Sequence, residues 1–301
     1  MNIEKTKTLR VQARTLRDAI RVARQMNDIA IVHVYEGGGF EILCANSWLK
    51  DYGATVVCSV KIGWEEFENL WKLRMNDERV WGTEVVAAVN IELLERFLDS
   101  VEKYCYVNVW FEGDRLVADA SEAVLHLRVY DLDEVDIKAP RVMKFETTAG
   151  ARMSTKTFRE LVSSVKDAGF DAIMTVRRDS GVAALEVVAG ALDNDAVQSV
   201  DDLAGMHPVF RLTAADIVLR NEITASMYST GLLSLTKGMP RDGKVSMTFG
   251  NDTPLKIDVC DHRCMNVTYW IAPKVWTLLE KYRERFVGNA SNCTAEVAQN
   301  V

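Results

Sequence analysis

The chain has 301 residues, of which 48% are hydrophobic and 26% are charged, with a formal net charge of −7 and a pI near 5.3. These values are typical of a globular protein long enough for two domains. No apolar run is long enough to cross a bilayer, and the polar start lacks the apolar stretch of a signal peptide, so we expect neither membrane insertion nor secretion. The acidic average alone argues against nucleic acid as a partner, but an average does not describe how charge is distributed along the chain.

A small unit recurs four times: an amphipathic helix, a strand, a tight turn and a second strand. The turns lie at 37–39, 112–114, 179–181 and 251–252, roughly 70 residues apart, which indicates an internal repeat. The strands are predicted from alternating hydrophobicity over 29–35, 40–45, 105–111, 115–120, 171–177, 182–189, 244–249 and 254–260. One such unit cannot bury both of its faces, so four of them predict antiparallel sheets with all helices on one side.

The helices are predicted over 15–26, 90–103 and 154–168, and the last within 225–240. Apolar residues spaced three and four apart give each helix one face to bury against a sheet. These are Leu16, Ile20 and Ala23; Ile91, Leu94, Leu98 and Val101; Phe158, Leu161, Val162 and Val165; and Leu232, Leu235 and Met239.

Basic residues follow a second face of these helices. On any single helix, such charges are most simply explained as the solvated side. Because they recur at equivalent places in three repeats, we predict a locally basic surface, suited to a phosphate backbone bound without sequence preference. The second helix has mixed charge. The predicted DNA-binding residues are Arg17, Arg21, Arg24, Arg96, Lys103, Lys156, Arg159, Lys166, Lys237 and Arg241.

Several segments resemble one known family. The strongest are 252–259, with an Asp-x-Pro-Leu pattern, and 267–275, with Tyr-x-x-Ala-Pro-Lys. Weaker matches in the right order lie at 9–13, 39–45 and 153–158. Over about residues 8–275 the chain resembles the sliding clamps of the proliferating cell nuclear antigen (PCNA) family, of the archaeal and eukaryotic type.

The resemblance implies an α+β DNA-clamp (processivity) fold, with two similar domains of two helix–β-hairpin units each. The domains would be 1–130 and 145–275, joined by a linker at 131–144 and followed by an extension at 276–301, a helix and then a disordered tail. In this family three protomers close head to tail around duplex DNA, with the helices lining the hole. The edges expected to pair between protomers are 123–130 and 191–197.

The resemblance also implies partners. A short peptide of a DNA polymerase or another replication or repair protein would bind beneath the linker by strand addition, and an ATP-dependent loader would open the ring. The positions that match the family's peptide site are Ala45, Leu49, Val135, Ile137, Pro254, Trp270, Ala272 and Pro273.

The sequence departs from the family in ways that matter for binding. Asp18, Asp99 and Glu160 stand where relatives usually carry Lys or Arg, and Ser163 replaces an Arg. We therefore expect a weaker electrostatic grip on DNA. Ala45, Leu49 and Trp270 also differ from the usual pocket residues, so the partner motif should differ, and residues 70–84 are an apparent insertion.

Neither a catalytic nor a metal constellation emerges. Cys260, His262 and Cys264 lack a second ligand pair at zinc spacing, and Asp193-Asn-Asp195 lacks the remainder of a calcium loop. Cys44, Cys58 and the other two cysteines in predicted strands, Cys105 and Cys260, are expected to be buried thiols of a reducing cytosol. We predict no cofactor and no enzymatic activity.

The sequence thus predicts a DNA sliding clamp, a homotrimeric processivity factor of replication and repair. It would be nucleoid-associated in the cytoplasm of an archaeon or archaeal mobile element, or nuclear in a eukaryote. One alternative is a clamp-fold subunit that forms no ring of its own or joins a heterotrimer, and binds DNA and polymerase on one face. A more distant alternative is an unrecognised α+β enzyme.

Overall fold

The computed structural model describes residues 8–34, 40–46, 56–62, 85–120, 122–132, 145–179, 182–190, 208–213, 216–221, 223–260 and 265–274. Within these ranges lie the helices α1 (Ala13–Arg24), α2 (Ile91–Ser100), α3 (Thr155–Ala168) and the short α4 (Thr230–Ser234), which continues as a 3-10 turn (Leu235–Gly238). None of them is long and apolar enough to cross a membrane.

The strands of the described ranges confirm the strands of the predicted repeat, while the turn residues 37–39 and 180–181 lie outside the described residues. They are β1 (Leu9–Gln12), β2 (Ile29–Val34), β3 (Phe40–Ala45), β4 (Val56–Ile62), β5 (Val85–Asn90), β6 (Tyr106–Glu112), β7 (Arg115–Asp119), β8 (Val124–Tyr130), β9 (Ala149–Ser154), β10 (Asp171–Asp179), β11 (Val182–Gly190), β12 (Val209–Thr213), β13 (Ile217–Leu219), β14 (Ile223–Ser229), β15 (Lys244–Phe249), β16 (Leu255–Cys260) and β17 (Met265–Ile271).

Strand order shows that the two halves of the chain have the same topology. The first half has the orders β1-β6-β7-β8 and β5-β2-β3-β4, and the second half has β9-β15-β16-β17 and β14-β10-β11-β12. Each strand therefore has a counterpart at the same place, apart from β13, which adds one strand outside β9. The predicted α+β class, with antiparallel sheets and few helices, is confirmed.

The chain forms two compact units. The first comprises Met1–Val142, Gly238–Gly243 and Asp258–Tyr269, and the second comprises Met143–Lys237, Lys244–Ile257 and Trp270–Val301. Because two late segments group with the first unit, the units are not continuous in sequence. The domain limits given by the sequence stay a prediction, and the 70–84 insertion and the 276–301 extension lie outside the described residues.

The apolar faces of the first three helices are buried as predicted, since Ile20, Leu94 and Phe158 have no exposed surface. The exception is Val101, which is half-buried and follows the end of α2 at Ser100. For the fourth helix, the prediction of which apolar residues face the core was wrong. Leu233 is its buried apolar residue, whereas Leu232 and Leu235 are half-buried. Met239 is buried as predicted, but it lies after the 3-10 turn. The reason is that β14 extends to Ser229, so that only five helical residues precede the tighter 3-10 turn.

The cysteine prediction was correct for two residues and wrong for two. Cys44 and Cys58 are buried, and burial raises the pKa of the Cys44 thiol to about 12. Cys105 lies just before β6 and is half-buried, and Cys260 ends β16 and is exposed. Both lie at a strand boundary, where the alternation no longer forces a side chain inward.

Local signals fix where the helices and hairpins begin. The Asn90 side chain accepts hydrogen bonds from the backbone N–H groups of Glu92 and Leu93, at 3.0 and 3.3 Å, and so caps α2. Ser154 caps α3 in the same way through the N–H of Thr157. Between β6 and β7, Gly113 has a φ of 64°, which favours glycine.

The residue after Pro273 anchors the end of the described chain within the second unit. The Lys274 backbone N–H donates to the Met227 carbonyl at 2.8 Å, and its ammonium lies 2.9 and 3.0 Å from the two carboxylate oxygens of Asp171. The Asp171 side chain is only 3% exposed. Lys274 thus supplies a counter-charge to a carboxylate at the start of β10.

Replacing Lys274 by Met should leave that carboxylate without its cation and lower the free energy of unfolding by about 2 kcal/mol. Chemical denaturation measures the change. Lys244→Met, at an exposed position that starts β15, should stay within about 0.5 kcal/mol of the wild type. Adding Asp171→Asn to Lys274→Met should recover part of the loss, and no recovery would contradict the assigned pairing.

Candidate nucleic-acid interface

Helices α1 and α2 lie side by side in the first unit because of the strand pairing beneath them. β1, which leads into α1, pairs antiparallel with β6, which follows α2. The pairing extends one step further, since the Ala13 N–H donates to the Cys105 carbonyl at 2.9 Å. Arg17, Arg21 and Arg24 form an arginine stripe on α1, and this stripe consequently faces the outward side of α2.

That outward side carries Glu92, Glu95 and Asp99, and these carboxylates bind the α1 arginines. Arg21 reaches Glu95 at 3.0 Å and Asp99 at 2.8 Å. Arg24 reaches Glu95 at 2.5 Å and Glu92 at 3.4 Å. We call Arg17, Arg21 and Arg24 with Glu92, Glu95 and Asp99 the arginine–carboxylate ladder.

Arg17 is the innermost member of the ladder. Its side chain is 6% exposed, and its Nε lies 3.2 Å from an Asp99 carboxylate oxygen. Its Nη2 donates to the carbonyl of Val101 at 2.9 Å and also to that of Leu98. These carbonyls lie at the C-terminal end of α2, where that of Leu98 also accepts a long bond of 3.4 Å from the Val101 N–H. Arg17 thus closes the helix terminus.

Charge pairing shifts the titration of the ladder. Partial burial alone would favour the neutral form of Glu95, but hydrogen bonds from Arg24 and Arg21 outweigh it and lower the pKa of this carboxyl. Hydrogen bonds to Glu95 and Asp28 raise the pKa of Arg24. Both pKa shifts favour the charged forms of Glu95 and Arg24.

The remaining predicted DNA-binding residue of α2, Arg96, also has a carboxylate partner. It lies 2.7 Å from Glu92, one helical turn earlier. Lys103, beyond the end of α2, is exposed and has no ion pair among the described residues. Most of the basic residues predicted for the first half are thus bound within the protein.

The second half differs. On α3, Lys156 and Lys166 are exposed and Arg159 is half-buried, and Lys237 is half-buried in the 3-10 turn after α4. None of these four forms an ion pair with another described residue. Arg241 is exposed but has an interaction partner of its own.

Comparisons with known proteins were made by sequence and by structure. No model of a protein family matches the chain, and no curated protein sequence matches it. Solved structures do. The structure of the FEN-1 C-terminal region bound to A. fulgidus PCNA has a TM-score of 0.66 at 14% identity, over 90% of this chain and 99% of that one. The chain has the fold of the PCNA sliding clamps.

Two further PCNA structures agree with this result. PCNA from Thermococcus kodakaraensis has a TM-score of 0.65 at 14% identity, over 89% of this chain and 99% of that chain. PCNA from Entamoeba histolytica has a TM-score of 0.65 at 13% identity, over 91% of this chain and 100% of that chain. The resemblance seen in the sequence is confirmed at the level of the fold.

The peptide site that the PCNA resemblance implies is only partly described. Leu49, Val135 and Ile137 lie outside the described residues. Ala45 is buried at the end of β3. Pro254, before β16, and Trp270, Ala272 and Pro273, at the end of β17, are all half-buried. Their role in binding a peptide stays a prediction.

Within the described part of the chain, no three His, Cys, Asp or Glu side chains lie close enough together to hold a metal ion. His262 and Cys264 lie outside it. Sequence reasoning named Asp99 as a departure from the family but missed that Glu92, Glu95 and Asp99 pair with the α1 arginines. Their signal was present, since Glu92, Glu95 and Asp99 recur at the helical spacing of the α1 arginines.

Arg17→Ala should leave the Leu98 and Val101 carbonyls without their side-chain donor and remove one of the two cations beside Asp99. We expect the free energy of unfolding to fall by about 2 kcal/mol, measured by urea denaturation. Arg96→Ala removes an exposed arginine that pairs within its own helix and should cost less than about 0.5 kcal/mol. Equal losses in the two variants would contradict the role given to Arg17.

Glu95→Gln should weaken the dependence of the free energy of unfolding on pH in the acid range. The pKa of Glu95 is lower in the folded state than its ordinary value of 4.5. Its stabilising contribution is thus complete above that value and is lost as the pH falls through the folded-state pKa. Denaturation midpoints across the acid range measure this slope, and Glu122→Gln, at an exposed position after β7, should keep the wild-type slope.

Proposed function

We propose that the protein is a DNA sliding clamp: copies of the chain close into a ring around duplex DNA and tether a polymerase or another DNA-processing protein to it. The observation that carries the proposal is the PCNA fold over about nine-tenths of the chain, with the same strand order in both halves. PCNA clamps act without catalysing a reaction, which supports a protein that is not an enzyme.

The open strand edges support assembly with further copies. β8 pairs with β7 through 124–128, but with β5 only through Val129 and Tyr130. β12 is the outermost strand of its sheet among the described strands, whereas 191–197, the edge expected from the sequence, lies outside the described residues. Val124 and Val209 are 55% and 43% exposed on β8 and β12. Pairing of β8 with β12 of the next copy would cover both edges and close a head-to-tail ring.

The hydrogen bonds of β8 show which residues face the open side. Ala120 donates to the carbonyl of Ala123, and Val129 donates to that of Asp114. In an antiparallel strand, the N–H and C=O groups of every second residue point to the same neighbouring strand. Because the groups of Ala123 and Val129 bond toward β7, those of Leu125 and Leu127 do so as well. Those of Val124, His126 and Arg128 consequently point to the open edge.

A ring explains processivity through topology. Once closed, it cannot leave the duplex sideways, so weak phosphate contacts are enough to keep it centred while it slides. A tethered polymerase rebinds at a high effective concentration. One matched PCNA structure holds the C-terminal region of FEN-1, and we propose that a comparable peptide binds here near Pro254 and Trp270.

His126→Pro tests the ring interface, because proline removes the outward N–H and leaves the β7 pairing in place. Light scattering across a dilution series should give three times the chain mass of 33.8 kDa for the wild type. The proline variant should give the monomer mass with an unchanged circular dichroism spectrum. His126→Ala is the matched control and should remain assembled. Assembly of the proline variant would contradict this interface.

Topological binding is tested by diluting the wild type and reconcentrating it with nicked circular plasmid. A ring should stay on the circle during gel filtration in high salt and be released when a restriction enzyme linearises the plasmid. Equal retention on circular and linear DNA would refute encirclement. A stable wild-type monomer would favour the alternative of a subunit that forms no ring on its own.

A further inference from the structure

The two halves of the chain share a fold but treat their basic residues differently. In the ladder, each arginine contacts at least two acceptor groups of its own chain. On α3, Lys156, Arg159 and Lys166 contact no carboxylate among the described residues. The difference concerns the availability of positive charge for a phosphate backbone.

We propose that the ladder carboxylates take the place of phosphate, so that α1 does not bind DNA through its arginine stripe, and that each copy holds the duplex through Lys156, Arg159, Lys166 and Lys237. This rests on the proposed clamp function and assigns the phosphate contacts to one half of the chain. Arg14 and Lys103, which are exposed beyond the ends of the ladder, are kept unchanged in every test below.

The first argument is the cost of freeing a ladder arginine. The Glu95 side chain is 12% exposed, and its ion-pair partners are Arg21 and Arg24. A phosphate that captured both arginines would leave a largely buried carboxylate without a counter-charge, which is strongly unfavourable. Arg17 is held more firmly still, because its side chain is 6% exposed and closes the end of α2.

The second argument is repulsion at the surface. Asp99 and Asp28 are 48% and 56% exposed, and both lie against ladder arginines. An approaching phosphate meets these exposed negative charges beside the guanidinium groups, and their repulsion opposes the attraction. Glu160 and Asp167 also lie on α3, but neither is within ion-pair distance of the basic groups there.

The test compares two variants that keep the net charge at −7. The α3 variant carries Lys156→Gln, Lys166→Gln, Glu160→Gln and Asp167→Asn, and the ladder variant carries Arg21→Gln, Arg24→Gln, Glu92→Gln and Glu95→Gln. Each loses two cations and two anions. Anisotropy of a short fluorescent duplex of mixed sequence, titrated at several salt concentrations, gives the slope of log K against log salt for the full-length protein.

The α3 variant should lower the magnitude of this slope by about 1.8 for each copy that contacts the duplex, since two phosphate contacts are lost per copy and each contributes about 0.9. The ladder variant should keep the wild-type slope. A lower slope in the ladder variant, or an unchanged slope in the α3 variant, would overturn the inference. If the ladder variant unfolds at a lower temperature than the wild type, the double variant Arg21→Gln, Asp99→Asn, which loses one cation and one anion, replaces it in the comparison.

The outcome separates this inference from the proposed function. A wild-type protein that stays on circular plasmid but loses its salt dependence through the ladder variant remains a clamp, with phosphate contacts in the first half of the chain. A wild-type protein that shows no preference for circles fails as a clamp, whatever its salt slope. No binding of the duplex at any salt concentration would overturn the assignment of phosphate contacts to α3, while retention on circular plasmid alone decides whether the protein is a clamp.

Discussion

The pairing of β1 with β6, and of β9 with β15, is the constraint on which the rest of the structure depends. Each pair joins a strand that precedes the first helix of a half to the strand that follows its second helix. The two helices of that half must then lie next to each other on the same face of the sheet. This strand pairing brings α1 into contact with α2 and α3 into contact with α4. The charge interactions between the paired helices depend on the same pairing.

Two identical frameworks nevertheless carry different surfaces. In the first half, the contact between helices places three arginines against three carboxylates, so the surface is compensated from within. In the second half, α4 is only one turn long before it tightens, and it brings no carboxylate to α3. The backbone thus fixes which helices meet, while a few side chains on the second helix decide whether the basic residues of the first remain available.

Much of the fold could be predicted from the sequence, because hydrophobic periodicity gave the first three helices and the hairpin at 244–260 to within a few residues. The fourth helix failed because a buried strand continues to Ser229, and its apolar residues do not distinguish strand from helix. The basic stripe was found, but not its compensation. Arg21 and Glu95 are separated by more than 70 residues, and only the β1–β6 pairing, which periodicity does not reveal, brings them together.

The ladder also restricts how this sequence can change over time. Arg24 contacts Glu92, Glu95 and Asp28 at once, and Glu95 in turn contacts Arg21. A substitution of Arg21 or Arg24 removes a counter-charge from Glu95 on the other helix, and loss of Glu95 removes one from both arginines, so tolerated changes should occur together, as joint loss or as exchange of sign. Among relatives of this chain, α1 and α2 are therefore expected to covary across the intervening strands, whereas the exposed lysines of α3 can vary one at a time.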